Sequence, residues 1–140
     1  MDLGRLLFLV GGVPFVVLGL LHAKYTPVRV EDRNGLSPRD EGVARAMADT
    51  SPRLTDRTDL WRAWVGFNYS HSLGAVLLGL MVWMVGRSEP SYHADAALAV
   101  PIAIVVATSY LVLGIKYWFR TPVLGISVGL ACFLAAWILR

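Results

Sequence analysis

The chain contains very little cysteine and little charge. Of its 140 residues only one, Cys132, is a cysteine. A single cysteine excludes a disulfide within the chain, and it excludes a zinc or iron–sulfur site built from several cysteines of one chain. Only 16% of the residues are charged and 56% are hydrophobic, whereas soluble domains average about 25% charged and about 45–50% apolar. The composition therefore indicates a membrane protein.

Catalytic motifs are also missing from the sequence. None of the ten Asp and Glu residues falls inside a long apolar run, and the motifs HExxH and GxSxG do not occur. Intramembrane enzymes of the isomerase or protease kind need such acids or acid/base pairs within their spans. We therefore name no catalytic residue and no metal ligand, and expect a protein that is not an enzyme. The net charge of +3 arises from bases interleaved with acids, without a nucleic-acid motif, so no nucleic-acid partner is expected.

Four apolar runs are each near the roughly 20 residues needed to cross about 30 Å of hydrocarbon. They cover residues 3–23, 60–86, 96–119 and 122–139. Backbone polar groups must be satisfied internally in lipid, so runs of this length form helices. We predict an all-α membrane protein with one domain over 1–140, a four-transmembrane-helix bundle. The residues before Lys24 make a poor signal-peptide cleavage site, so the first run is expected to remain as a span.

The distribution of Lys and Arg predicts an orientation, because cytoplasmic loops carry an excess of these residues. One side of the predicted bundle holds the 24–59 loop and the turn between the last two spans. Its ten cations are Lys24, Arg29, Arg33, Arg39, Arg45, Arg53, Arg57, Arg62, Lys116 and Arg120. The other side holds three, Arg5, Arg87 and Arg140. The prediction is that both termini lie outside and that the 24–59 loop is cytoplasmic.

The 24–59 loop contains the pattern of a short amphipathic helix. Ser37 offers an N-cap, Pro38 suits the first helical position, and Val43 and Met47 lie one turn apart. We predict a helix over 38–49, with Thr55 or Thr58 as the cap of the second span. Such a helix could lie at the headgroups, cover a site or dock another subunit.

A polar stripe inside the second span is the best candidate for a site. At about 100° per residue, Trp64, Asn68 and His71 share one helix face with small residues. Polar side chains at such depth face protein, water or a ligand. The candidate pocket comprises Trp64, Asn68, His71 and Ser72, with Thr108, Ser109 and Ser127 from the last two spans. Interhelical hydrogen bonding, a ligand pocket and a catalytic or proton-relay role all remain open.

Haem binding is not expected. Measured from Leu60, His71 lies about 16 Å along its helix. His22 stands at the boundary of the first span and His93 falls in the opposite loop, so the sequence offers His71 no second axial histidine within one chain. No cofactor is therefore predicted.

Two further surfaces stand out in the last two spans. Gly125 and Gly129 form a small-xxx-small face, and Ala75 with Gly79 is its expected counterpart. These faces could pack internally, or hold a homo-oligomer or a partner membrane subunit. Lys116 and Arg120 flank a Tyr-Trp-Phe triplet typical of headgroup level, and are candidate contacts for lipid headgroups.

The stretch from Trp61 to Gly74 matches the pattern W-x-x-W-x-G-F-N-x-S-H-S-x-G. It resembles a signature of small bacterial four-span membrane proteins that have no assigned activity, and the segments 19–22 and 117–122 fit the same family. The resemblance implies four spans in a bacterial inner membrane. Our leading hypothesis is an accessory subunit of a membrane complex or a small lipid or quinone-like ligand binder. The alternative is a membrane-embedded enzyme or redox subunit that uses His71 as acid/base or ligand.

Overall fold

The computed structural model describes residues 2–139, and Arg140, one of the counted cations, lies outside them. The helices are α1 (Leu3–Tyr25), α2 (Glu41–Ala48), α3 (Leu60–Gly86), α4 (Glu89–Tyr117) and α5 (Arg120–Ile138). Within residues 2–139 there is no β-strand. By length and composition α1, α3, α4 and α5 could each cross a membrane. The predicted fold class, all-α with four membrane-length helices and a short helix in the loop, is confirmed.

The start of α4 differs most from the sequence prediction. The helix begins at Glu89, seven residues before the apolar run, because Ser88 caps it and accepts a hydrogen bond from the backbone of Ser91 at 3.3 Å. The prediction followed polarity, whereas a capped helix continues through polar residues until its backbone is interrupted. His93, expected in a loop, therefore lies on α4.

The short helix α2 starts later than predicted. Asp40, and not Ser37, is its N-cap, and its carboxylate accepts from the backbone of Gly42 at 2.7 Å. Ser37 instead closes a turn, because its hydroxyl accepts from the backbone of Asn34 and donates to the carbonyl of Asp32. The predicted span of 38–49 was therefore wrong at its first turn.

The cap of α3 was also predicted wrongly. Neither Thr55 nor Thr58 supplies it; the carboxylate of Asp59 accepts from the backbone of Arg62 at 2.7 Å. A negative charge at this position is favoured by the partial positive charge at the start of a helix.

Ionic contacts order the polar loop ahead of α2. The carboxylate of Asp32 accepts from the backbone N–H groups of Arg29 at 2.8 Å and Val28 at 2.9 Å. These bonds lower the pKa of Asp32, because they stabilise its charged form. The guanidinium of Arg33 lies 2.7 Å from the carboxylate of Glu41 and lowers the pKa of Glu41 in the same way.

The chain forms two compact units, which we describe separately. The core unit comprises residues 2–18 and 75–139, and the loop unit comprises residues 19–74. In the core unit, four helical segments surround an aromatic centre. The ring of Phe133 lies 5.8 Å from that of Phe8 and 5.9 Å from that of Phe15, and Tyr92 lies 5.7 Å from Phe8.

Glycines bring α3 and α5 of the core unit close to α1. A Cβ added at Gly79 would lie 2.7 Å from the carbonyl oxygen of Gly12, and one added at Gly129 would lie 2.9 Å from that of Gly11. From the sequence, the small-residue faces of α3 and α5 are predicted to pack on each other. In the structure Gly79 of α3 and Gly129 of α5 instead lie against α1, at the carbonyl oxygens of the adjacent Gly12 and Gly11.

Candidate functional site

The loop unit brings together two polar side chains from helices far apart in sequence. The Nε2 atom of His22, near the end of α1, lies 2.8 Å from Oδ1 of Asn68 on α3, across 46 residues of chain. Asn68 is buried, with 8% of its surface exposed, and His22 is half-buried. The contact joins the two helices by a hydrogen bond.

Neighbouring turns of α3 hold Asn68 in place. Its Nδ2 atom donates to the backbone carbonyl of Trp64 at 2.8 Å, and its own backbone carbonyl accepts from the hydroxyl of Ser72 at 3.0 Å. Trp64, Asn68 and Ser72 are therefore linked at intervals of four residues along α3. The sequence places Trp64 and Asn68 on one face with His71, and Ser72 borders that face.

His71 lies beside His22. The two ring centroids are 5.1 Å apart and the rings are tilted by 55°. We call His22, Asn68 and His71 the histidine–asparagine cluster. His71 is half-buried, as His22 is, so both imidazoles are partly accessible to a ligand. The side chain of Asn68 between the two helices is buried.

The predicted separation of His22 from His71 in depth is wrong. The prediction took Leu60 as the membrane boundary, whereas the 27 residues of α3 span about 40 Å, more than the roughly 30 Å of hydrocarbon. The indole of Trp61 donates to the carbonyl of Val28, three residues beyond the end of α1. The first turn of α3 thus lies beside the loop, and His71 falls level with His22.

The spacing of the histidine pair does not fit axial haem ligation. Metal–nitrogen bonds of about 2 Å to an iron between two axial imidazoles would place the ring centroids about 6 Å apart, with a porphyrin between the rings. The observed rings are closer, and Nε2 of His22 already faces Asn68. Elsewhere in residues 2–139 no group of three or more His, Cys, Asp or Glu side chains could hold a metal ion.

The other predicted pocket residues belong to the core unit. Thr108 and Ser109 lie on the exposed surface of α4, and the hydroxyl of Ser109 donates to the carbonyl of Val105 in its own helix at 2.9 Å. Ser127 is partly buried on α5. Their role opposite Asn68 stays a prediction.

Lys116 and Arg120 are both exposed, on either side of the turn between α4 and α5. The rings of Trp118 and Phe119 stack between them at 6.4 Å. Amphipathic and basic side chains at a helix end are typical of the headgroup level, and a specific lipid contact here stays a prediction.

Sequence reasoning did not place Thr26 and His22 in the site. Thr26 is almost fully buried, and its hydroxyl donates to the carbonyl of His22 at 2.8 Å, extending the end of α1. In the sequence, His22 is singled out only by the resemblance of the segment 19–22 to the four-span pattern.

Comparison with family models, with curated proteins and with solved structures finds no match to this chain.

Proposed function

We propose that this integral membrane protein binds a small amphipathic ligand, a lipid or a quinone-like molecule, at the histidine–asparagine cluster. The supporting observation is the contact of His22 with Asn68 beside His71, which gathers three polar side chains from two apolar helices. Such side chains within membrane helices are costly, and they commonly mark ligand or proton pathways.

The surroundings of the cluster suit an amphipathic molecule. Imidazole nitrogens both donate and accept hydrogen bonds, so they can hold a polar headgroup. Phe67, which is 70% exposed, and the exposed side chains of Leu21 and Leu73 offer apolar surface to a tail on the same helices. Trp64 is partly buried below Asn68 and would form the wall of the pocket.

The second candidate is a membrane-embedded enzyme or redox subunit that uses His71 as acid/base or ligand. The observation in its favour is the pairing of two imidazoles, because one ring can give a proton while the other accepts one. It predicts turnover of the bound molecule, whereas a binding protein returns that molecule unchanged.

Native mass spectrometry after purification with endogenous lipids tests the proposal. We expect a small molecule to remain bound to the wild type and to be lost in His71→Ala. His93→Ala is the matched control, because His93 is an exposed histidine of α4 in the core unit, and it should retain the molecule. A stoichiometric protein partner without a small molecule would instead support the accessory-subunit hypothesis and would contradict ligand binding.

A further inference from the structure

The orientation of the Asn68 amide is fixed by a group that can only accept. The backbone carbonyl of Trp64 lies 2.8 Å from Nδ2 of Asn68 and takes a proton from it. The carbonyl oxygen of the same amide, Oδ1, is therefore the atom that faces His22. Because an amide has one oxygen and one NH₂ group, the bond to the Trp64 carbonyl fixes the positions of both.

The Asn68 oxygen determines in turn which nitrogen of His22 carries a proton. Oδ1 accepts and cannot donate, so Nε2 of His22, 2.8 Å away, must be the donor. In a neutral imidazole one nitrogen carries the proton and the other carries the lone pair. In neutral His22 the lone pair is therefore on Nδ1, and any group that hydrogen-bonds neutral His22 through Nδ1 must be a donor.

We propose that the headgroup bound at the cluster carries a hydroxyl that donates to Nδ1 of His22, as a quinol or a lipid alcohol does and a quinone does not. This inference depends on the ligand-binding function proposed above. Asn68 is then a positioning residue, since it acts by holding the tautomer of His22. At metal sites, the hydrogen-bond partner of a ligating histidine sets its tautomer in the same way.

The spacing of the two rings is compatible with one oxygen atom bonded to both imidazoles. With N···O distances of about 2.8 Å, one oxygen can contact a nitrogen of each ring when the centroids are up to roughly 8 Å apart. The observed separation is 5.1 Å. A hydroxyl both donates and accepts, so it can donate to His22 and accept from a nitrogen of His71 that carries a proton, whereas a carbonyl can only accept.

A matched pair of probes tests the headgroup assignment. A decyl-substituted benzoquinone and its two-electron-reduced quinol have the same tail and differ in carbonyl against hydroxyl oxygens. Their affinities are measured without oxygen on the full chain in lipid nanodiscs. We expect the quinol to bind about 10-fold more tightly than the quinone, the effect of about one hydrogen bond.

Variants and NMR separate the role of Asn68 from a purely structural one. In Asn68→Leu, which removes the acceptor for Nε2, the ratio of the two affinities should fall towards one. Ser70→Ala, an exposed change on the same helix whose hydroxyl bonds only the carbonyl of Phe67 in the described contacts, should keep it. The ¹⁵N shifts of His22 in the wild type should show the proton on Nε2, with assignment by His22→Gln.

The outcomes distinguish this inference from the proposed function. Equal or tighter binding of the quinone, a proton on Nδ1 of His22, or a doubly protonated His22 would overturn the hydroxyl assignment while leaving ligand binding intact. Failure of both probes and of native lipids to bind would overturn both. If Asn68→Leu does not fold, the ratio of the two affinities and the ¹⁵N shifts of the wild type still test the hydroxyl assignment.

Discussion

Asn68 links two helices through both ends of its amide. The oxygen accepts from His22 on α1, and the nitrogen donates to Trp64 one turn earlier on α3. No Asp, Glu, Lys or Arg side chain takes part in these bonds, which suits a position inside an apolar helix, where an ionised side chain is far more costly.

The first prediction concerns the free energy contributed by this amide. Asn68→Leu should lower the free energy of unfolding by about 0.6–1.7 kcal/mol, from the average to the largest value found for hydrogen bonds between membrane helices by double-mutant cycles. Ser70→Ala is the control, because Ser70 is exposed and bonds its own helix, and it should change little. Reversible unfolding of both variants in mixed micelles measures the difference, and an equal effect of the two would contradict the role of Asn68.

At the residue scale the sequence predicts that Trp64, Asn68 and His71 share one face of α3, because helical periodicity alone places them there. It does not predict that His22 joins them. That contact depends on how far α3 extends past the end of α1, and this offset is set by the fold of the loop unit, as the bond from Trp61 to Val28 shows.

At the scale of elements, close backbone contact explains the glycines of α3. Gly79→Ala would place its Cβ against Val16 and the carbonyl of Gly12, so it should destabilise the fold by about 1–3 kcal/mol, the usual effect of overpacking. Gly66→Ala is the control, because a Cβ at Gly66 meets nothing within 4 Å. It should be neutral or stabilising by up to about 1 kcal/mol, since alanine favours a helix. Thermal unfolding in detergent compares the two, and equal loss of stability would refute the packing account.

A second prediction at this scale concerns pH and the loop. Because its folded pKa is lowered, Asp32 stabilises the loop above its unfolded pKa of about 4, and the stabilisation is lost as pH falls through the lower folded pKa. Hydrogen exchange at the amides of Arg29 and Val28 should accelerate over that acidic range beyond the intrinsic change. In Asp32→Asn this extra pH dependence should disappear, and its persistence would assign the effect to another group.

The limits of the elements show what periodicity can and cannot predict. The ends of α3 follow directly from its apolar run. The starts of α2 and α4 depend on which of several adjacent polar side chains caps the backbone, Asp40 over Ser37 in one case and Ser88 in the other. Local hydrogen bonding decides between such neighbours, and hydropathy carries no information about it.

At the scale of the whole molecule, large apolar side chains remain on the surface of the long helices. Leu98 and Val105 of α4 are 70% and 64% exposed, and many other aliphatic residues resemble them. Extensive apolar surface of this kind favours association in water, whereas lipid chains solvate it. The exposed apolar surface and the lengths of the helices therefore both indicate an integral membrane protein.

The orientation of the chain in the membrane is a property of the whole molecule. The excess of Lys and Arg in the 24–59 loop and the turn between α4 and α5 predicts that both termini lie outside the cytoplasm. Fusions of the C-terminus to alkaline phosphatase, active only outside, and to a green fluorescent protein, fluorescent only inside, should give phosphatase activity and little fluorescence. The reverse result would invert the topology.

Photo-crosslinking tests the central claim, ligand binding at the histidine–asparagine cluster, most directly. A quinol analogue with a diazirine next to its ring is irradiated on the full chain in nanodiscs, and the labelled peptides are mapped. We predict that label concentrates within 19–25 and 64–72, is displaced by unlabelled quinol and is lost in His71→Ala but not in His93→Ala. Label spread over the exposed surfaces of α4 and α5, without displacement, would contradict the claim.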